Sequence, residues 1–335
     1  MSYEMQYSDL GRTGLKVSRI GYGGAALGNA YTPVGAEDGV SCVHRAVDEY
    51  GINYFDTAAG YGKGSMGETR LGEALSGGWR EKVILATKCG DYYRTGEDGE
   101  PVLFQDYSAK TIRAQLEHQL RRLRTDYVDV LQLHDINLAD RNVLMEESIP
   151  EMLRLRDEGK IRFLGITCLK LHCLRYVLEH SDDIDVVLTF GRYNLMDQAL
   201  VGYFDDLRAK KGFALLNCSV LFMGILTKSV IEDRYFSMQG RREHDPEYGE
   251  TVTALKRASD LCDAHGVDLG SLAFQFGCDC PFCDSTVVSM GRTARLDQNM
   301  ALWKEPYDRA LAEEVRQILA PYNCITRSFR SVSRW

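Results

Sequence analysis

The feature that most constrains this chain is an eightfold alternation of short apolar runs with longer amphipathic ones. RIGYGG (19–24), INYFDTA (52–58), KVILATKCG (82–90), YVDVLQLHD (127–135), IRFLGIT (161–167), DVVLTF (185–190), FALLNCS (213–219) and STVVSM (285–290) read as strands. Within the third, VILA is continuously apolar, as a parallel strand covered on both faces must be. Helical runs lie between them. Residues 38–50 space Val40, Val43, Ala46 and Val47 on one face, and GETRLGEAL (67–75) is a short helix. Residues 108–123 open on Ser108 as N-cap and carry Ile112, Leu116, Leu120 and Leu123 as one stripe. Residues 148–160 have a proline near the start and Gly159 near the end. Residues 171–180, 199–212, 251–264, 268–278 and 307–319 complete the set.

Strict strand-then-helix order predicts a parallel sheet. Eight repeats in 335 residues fit a closed (β/α)8 TIM barrel, an α/β fold, better than an open doubly wound sheet. The dinucleotide-binding alternative lacks its glycine signature, because no G-x-G-x-x-G joins the first strand to the first helix. Ahead of the first strand, MQYSDLGRTGLKVSR reads as an N-terminal β-hairpin turning at Gly11 to Gly14, placed to plug the barrel bottom. The polar stretch 226–250 reads as a long loop before the last two repeats, and loops of that length usually cover a site. No linker composition interrupts the pattern, so residues 1–335 are expected to form one domain.

Barrel sites lie at the C-terminal ends of the strands. The second strand ends in Asp56, with Tyr61 on the loop after it; the third ends in Lys88 and the fourth in His134. Each residue has an ordinary reading: a helix cap, a loop aromatic, a solvated strand end, a core-edge histidine. Together they form a constellation. A lysine behind VILAT is costly to bury without a partner, and Asp56 is the evident counter-ion. A free phenol is a poor base near neutrality, since its pKa is about 10. A neighbouring ammonium favours the phenolate, so Lys88 is expected to lower Tyr61. A neutral His134 would donate to a substrate oxygen. A phenol that exchanges a proton with a carbonyl or hydroxyl oxygen is half of a hydride-transfer reaction, and a nicotinamide supplies the other half.

NYFDTAAGYG, VILATKCG and VDVLQLHD resemble the signature segments of the aldo-keto reductase family. The resemblance runs from about Leu10 to about Leu302. It implies a barrel that binds NAD or NADP without a metal, with Tyr61 as general acid/base assisted by Lys88, Asp56 and His134. RIGYGGAA is similar to the first-strand segment, which implies that Gly23, Gly24 and Ala25 lie along the cofactor with Asp56. In FLGITCLK, Thr167 replaces a serine hydroxyl and Cys168 replaces an asparagine that binds the carboxamide. Phe190 stands where a glutamine is common. NCSVLFMGIL puts Cys218 at the position of the stacking aromatic, with Ser219, Leu221 and Gly224 near the pyrophosphate. In SMGRTARLDQN, Arg295 matches the 2′-phosphate arginine, Ser289 replaces an assisting lysine, and Gln298 and Asn299 match the adenine-binding pair.

Two longer stretches, 11–34 and 134–167, resemble the branch that oxidises sugars at the anomeric carbon, the L-galactose dehydrogenase and aldose 1-dehydrogenase group. The implied reaction is aldose to aldonolactone. Two alternatives stay open: an NADPH-dependent reductase of aldehydes or ketones, and a cofactor-sensing regulatory subunit. Asp135, Arg192 and Asn194 are candidate polar groups for a sugar at the rim. The expected partner is a small sugar or carbonyl compound, with the oligomeric state open.

Composition narrows the rest. A net charge of −8 with no long basic run excludes a nucleic-acid partner. No export signal opens the chain and no stretch reaches the roughly 18 uncharged apolar residues of a membrane span, so a soluble cytoplasmic protein is expected. Its ten cysteines are then expected to be reduced thiols. Cys278, Cys280 and Cys283 cluster in GCDCPFCD, but a closed zinc site needs a fourth ligand, and no metal is expected there.

Overall fold

The computed structural model describes residues 4–30, 32–96, 98–237 and 246–322. Eight parallel strands close into the expected barrel: β3 (Ile20–Gly23), β4 (Tyr54–Asp56), β5 (Ile84–Cys89), β8 (Val128–Leu133), β9 (Ile161–Thr167), β10 (Val186–Phe190), β11 (Ala214–Cys218) and β12 (Ser285–Ser289). The last pairs back onto the first. The N-terminal hairpin is β1 (Tyr7–Asp9) and β2 (Lys16–Ser18). Leu10 and Val17 pack with Tyr54, Ile84, Ala86, Val130, Val186, Leu188, Ala214, Leu216 and Val287 inside the barrel. The hairpin therefore supplies part of the inner core, as its position before β3 predicts.

Those inner residues explain the strand sequences. Side chains alternate between the barrel axis and the helical layer with a period of two residues. Continuing the inward series one step past Tyr54, Ala86 and Val130 gives Asp56, Lys88 and Gln132. The outer faces pack against a second, larger core beneath the helices. That ring holds α1 (Ala36–Asp48), α2 (Met66–Ala74), α3 (Ala109–Leu123), α4 (Arg141–Val143), α5 (Ile149–Asp157), α6 (Leu171–His180), α7 (Asp205–Lys211), α8 (Lys228–Ser237), α9 (Pro246–Ala264), α10 (Leu269–Cys278), α11 (Thr293–Lys304) and α12 (Arg309–Leu319). Ser108 caps α3 as expected, its hydroxyl accepting from the amide of Thr111. Among the described residues no helix is long and apolar enough to cross a membrane.

Four segments depart from the sequence reading. A second hairpin, β6 (Asp91–Thr95) with β7 (Pro101–Gln105), lies over the barrel after β5, where no element was expected. The helix read over 199–212 is confined to Asp205–Lys211, because Gly202 turns the chain left-handed at φ +69 before it. The run over 148–160 begins as a π-helical turn, Leu144–Ser148, that feeds α5. The stretch 226–250 is not one loop. It contains α8, whose Ile231 is buried, and the start of α9; residues 238–245 lie outside the described residues.

The loop carrying Tyr61 is fixed by close backbone approach. A Cβ on Gly28 would lie 2.3 Å from the Tyr61 carbonyl oxygen, and one on Gly62 would lie 2.2 Å from the Gly28 carbonyl oxygen. Gly62 also has φ +85, a conformation only glycine adopts without strain. We expect Gly28→Ala to lower the unfolding free energy by about 1–3 kcal/mol, since backbone cannot yield as a flexible side chain can. Urea unfolding followed by circular dichroism measures it, and an unchanged midpoint would refute the packing argument.

Candidate active site

At the top of the inward-facing layer, Lys88 is 1% exposed and Asp56 is 3% exposed. An ammonium has three N–H donors and needs three acceptors when buried. The Lys88 Nζ finds them in Asp56 Oδ1, the Thr57 carbonyl at 2.9 Å and the Tyr61 hydroxyl oxygen at 3.2 Å. The other Asp56 oxygen accepts from Gln132 Nε2 at 2.8 Å. Gln132 has room because Gly165 faces it: a Cβ there would come within 2.6 Å of its Cγ. Gln119 donates to the Lys88 carbonyl at 2.6 Å. Burial works against the charge on Lys88, but Asp56 and Tyr61 raise its pKa above the ordinary lysine value.

Tyr61 corrects an expectation. Lys88 does pull the phenol down, but burial pushes it up by more, and Asp56 and Cys218 add to the rise. The phenol stays protonated at neutral pH. Because its oxygen accepts from Lys88, its own proton is free to donate elsewhere. That is the geometry of a proton donor held from behind.

His134 is also shifted, toward its protonated form. Burial disfavours the imidazolium, yet Asp91 and Asp135 raise its pKa above the ordinary histidine value. Both carboxylate oxygens of Asp91 lie 3.0 Å from His134 Nδ1. Burial of Asp91 works the other way, but His134 lowers its pKa below the usual carboxylate value. This engages Nδ1 and leaves Nε2 for any other partner. The His134 amide donates to the Cys89 carbonyl at 2.8 Å, and the Tyr107 hydroxyl donates to the His134 carbonyl at 2.6 Å. The rings of Tyr61 and His134 meet edge to face, with centroids 6.3 Å apart. Asp91 was missed in the sequence. It opens the unforeseen hairpin, and the signal was the pair DYYRT and VLFQ flanking GEDGE.

The remaining predicted positions divide. Strand alternation places Gly23, Thr167, Phe190, Cys218 and Ser289 in the same top layer as Asp56 and Lys88. Gly24 lies against Asp56, since a Cβ there would be 3.0 Å from its carbonyl oxygen, and Ala25 follows in the same short 3-10 turn. Ser219 and Gly224 bound a loop with left-handed residues, at φ +62 and +84, and Leu221 between them packs on the outer core. On α11, Arg295 and Gln298 are exposed and bonded to each other at 2.9 Å, while Asn299 is buried.

Others are occupied. Cys168 donates from Sγ to Asn137 Oδ1 at 2.9 Å and accepts from the Lys170 amide at 3.1 Å, so its thiol is bound within its own loop. Arg192 pairs with Asp197 at 2.8 Å. Asn194 Oδ1 accepts from the amides of Met196 and Asp197. Cys278, Cys280 and Cys283 are buried, and the carbonyls of Cys280 and Cys283 accept from Arg19. Among the described residues no three His, Cys, Asp or Glu side chains gather as a metal site would require.

The pattern of the Aldo/keto reductase family matches residues 19–320. The chain is 35% identical over 325 residues to the L-galactose dehydrogenase of Arabidopsis thaliana, covering 95% of each. It is 28% identical over 301 residues to the D-threo-aldose 1-dehydrogenase of a Pseudomonas species, covering 85% of this chain and 89% of that one. Among solved structures, an aldo-keto reductase from Bacillus halodurans superposes with a TM-score of 0.72 at 24% identity, over 95% of this chain and 97% of its own.

The Asp91–His134 pair gives a pH signature. His134 has a raised folded pKa, so its contribution is fully present below the unfolded value of about 6.5 and is lost as pH rises through the folded value. Asp91 has a lowered folded pKa, so its contribution is present above the unfolded value of about 3.9 and lost as pH falls through the folded value. The stability gap between wild type and Asp91→Asn is therefore expected to be widest between about pH 4 and 6.5 and to narrow on the alkaline side. Denaturant titrations across pH measure this gap, and a pH-independent one would argue against the ion pair.

Proposed function

The chain belongs to the aldo/keto reductase family, and from that premise we propose that it is an NAD(P)-dependent sugar dehydrogenase. Its reaction would take hydride from the anomeric carbon of an aldose and release the aldonolactone. The observation that carries the reading is the Lys88 ammonium, which touches Asp56, the Thr57 carbonyl and the Tyr61 hydroxyl at once. The support for a sugar comes from the relatives, the nearer of which spans 95% of this chain and acts, by its name, on L-galactose.

A dinucleotide fits the residues present, although unevenly. Gly23 and Gly24 bring bare backbone to the rim beside Asp56 and Ser289. The left-handed turns from Ser219 to Gly224 suit phosphate oxygens, and a Cβ on Gly224 would meet nothing within 4 Å. Arg295, Gln298 and Asn299 would take the adenosine end. Thr167 and Phe190 would border the nicotinamide together with Cys218, which offers no ring to stack on. Cys168, committed to Asn137, would not reach the carboxamide. A 2′-phosphate favours paired cations, and Arg295 is one exposed guanidinium, so the residues suit NAD as well as NADP.

A nicotinamide held there would supply the hydride acceptor for oxidation and the hydride donor for reduction. Tyr61 takes the hydroxyl proton of the sugar in oxidation and returns it in reduction. In the protein alone burial keeps this phenol protonated, which sets it as a donor. Oxidation would need this phenol deprotonated, the direction in which Lys88 pulls it. His134, fixed through Nδ1 by Asp91, would orient the reacting oxygen through Nε2. The protonated phenol also favours a second reading, reduction of aldehydes or ketones.

Purified protein with NAD+ or NADP+ and a panel of aldoses should generate reduced nicotinamide absorbance. Tyr61→Phe should lose roughly 10²- to 10⁴-fold in turnover and keep dinucleotide affinity. Consumption of reduced dinucleotide by carbonyl compounds, with no response to any sugar, would replace the dehydrogenase by the reductase. Binding without turnover in the wild type would leave only a sensor.

A further inference from the structure

Lys88 is the last inward side chain of β5, and its backbone carbonyl lacks the partner that a neighbouring strand would give it. Successive carbonyls of a strand inside a parallel sheet point to opposite neighbours. On β5 the Ala86 carbonyl faces β4 and accepts from the Thr57 amide at 2.9 Å, while the Cys89 carbonyl faces β8 and accepts from the His134 amide at 2.8 Å. The Lys88 carbonyl, two residues past that of Ala86, therefore faces β4. But β4 ends at Asp56, and past Thr57 the chain turns into the loop that carries Tyr61. A buried carbonyl without a donor is costly, so another element must supply one.

That element is α3. Gln119 is wholly buried and donates from Nε2 to the Lys88 carbonyl at 2.6 Å. One turn earlier on the same face, Gln115 accepts at Oε1 from the Gly90 amide at 2.9 Å. The two side chains hold the end of β5 at the residue that carries the ammonium and at the residue before Asp91. Gln119 is itself braced. Its Nε2 lies 3.5 Å from Thr87 Oγ1, and Thr87 donates to Glu68 Oε1 at 2.7 Å. The other Glu68 oxygen accepts from Arg122 Nε at 2.7 Å and Nη2 at 2.6 Å. Packing does not account for a glutamine here. Its Oε1 is buried with no partner among the described residues, a cost that a methionine of similar length would not carry. What the amide secures is the Lys88 backbone, from which the ammonium reaches Asp56 and, at 3.2 Å, the Tyr61 hydroxyl.

We infer that Gln119 is a positioning residue of the reaction: through the Lys88 carbonyl it fixes the end of β5 where β4 has stopped, and so keeps the ammonium against Tyr61. Being closed to solvent, Gln119 acts through Lys88 and touches no ligand itself. The inference rests on the reading of Tyr61 as the group that exchanges the proton. A small displacement of a reacting group, caused from outside the site, is enough to slow the chemistry.

The test compares the whole wild-type protein with Gln119→Met, Gln119→Asn and Leu116→Ala. Methionine fills a similar volume without a donor. Asparagine keeps the amide but withdraws it by one methylene, and it serves where the methionine variant does not fold. Leu116→Ala loosens α3 from the outer core with Gln119 in place. Circular dichroism checks folding. With isotopically labelled tyrosine, the NMR resonance of the Tyr61 ring is identified by its loss in Tyr61→Phe. It is expected to shift in both Gln119 variants and to hold in Leu116→Ala. In sugar oxidation, Gln119→Met should lose roughly tenfold or more in kcat, with KM and dinucleotide affinity near those of the wild type. Its pH profile should move to the alkaline side, because a withdrawn Lys88 lowers the phenol less. A Tyr61 resonance unmoved in the Gln119 variants overturns the inference. So does an equal shift in Leu116→Ala, which would make Gln119 a packing residue, and so does a wild-type kcat and pH profile in Gln119→Met. A wild type that oxidises no sugar sinks the dehydrogenase reading; the resonance, which needs no turnover, then decides the positioning alone.

Discussion

The buried contact between Lys88 and Asp56 is the interaction on which the rest of the barrel mouth depends. Two charges removed from water gain little net stability, and replacement by apolar residues of the same volume is often neutral or favourable. What this pair fixes is position. It needs β4 and β5 paired so that Asp56 stands opposite Ala86, and β5 and β8 paired so that Lys88 stands opposite Gln132. A slip of one residue in either register would turn a charged side chain into the apolar layer under the helices. Removing one partner would leave the other charge buried and uncompensated, at a cost of about 3–5 kcal/mol. Around the pair, Gln132 covers the second Asp56 oxygen, Gly165 makes room for Gln132, and Gln119 holds the Lys88 carbonyl.

Much of this was legible in the chain, for definable reasons. The eight strands announce themselves because parallel strands covered on both faces are runs such as VILA, which helices of that length do not mimic. Asp56, Lys88 and His134 stand out because each ends such a run, where burial without a partner is costly. The hairpin from Asp91 to Gln105 escaped notice because it is antiparallel and partly exposed, with Val102 and Leu103 at the surface, so its pattern is diluted. Asp91 escaped with it, since only the hairpin carries it to His134. The stretch 226–250 misled through its polarity: α8 packs beside α9, with Ile231 buried. Cys168 looked like a weakened ligand, yet nothing in its neighbourhood of sequence discloses Asn137, which lies 31 residues away and takes its thiol.

The error about Tyr61 has a different origin. Sequence reasoning can name the nearby charge but cannot weigh it against burial. A lysine beside a phenol lowers its pKa, and the direction of that effect was right. Enclosure in the mouth raises it further than Lys88 lowers it. The balance of the two depends on how deep the phenol lies, which is set by Gly28, Gly62 and Gly67 packing against its loop. In the family reading this leaves Tyr61 a proton donor in the protein alone.

Three carboxylates near one another at this mouth, Asp56, Asp91 and Asp135, would repel if they were equivalent. They are kept apart in kind by what each touches. Asp56 is bound by Lys88 and Gln132, one on each carboxylate oxygen. Asp91 is bound by His134 and fixes which nitrogen of that ring is engaged. Asp135 differs: burial pushes its carboxyl up, His134 and Lys88 only partly offset this, and one oxygen has no partner among the described residues. Of the three acids, Asp135 is therefore the one least served by the protein.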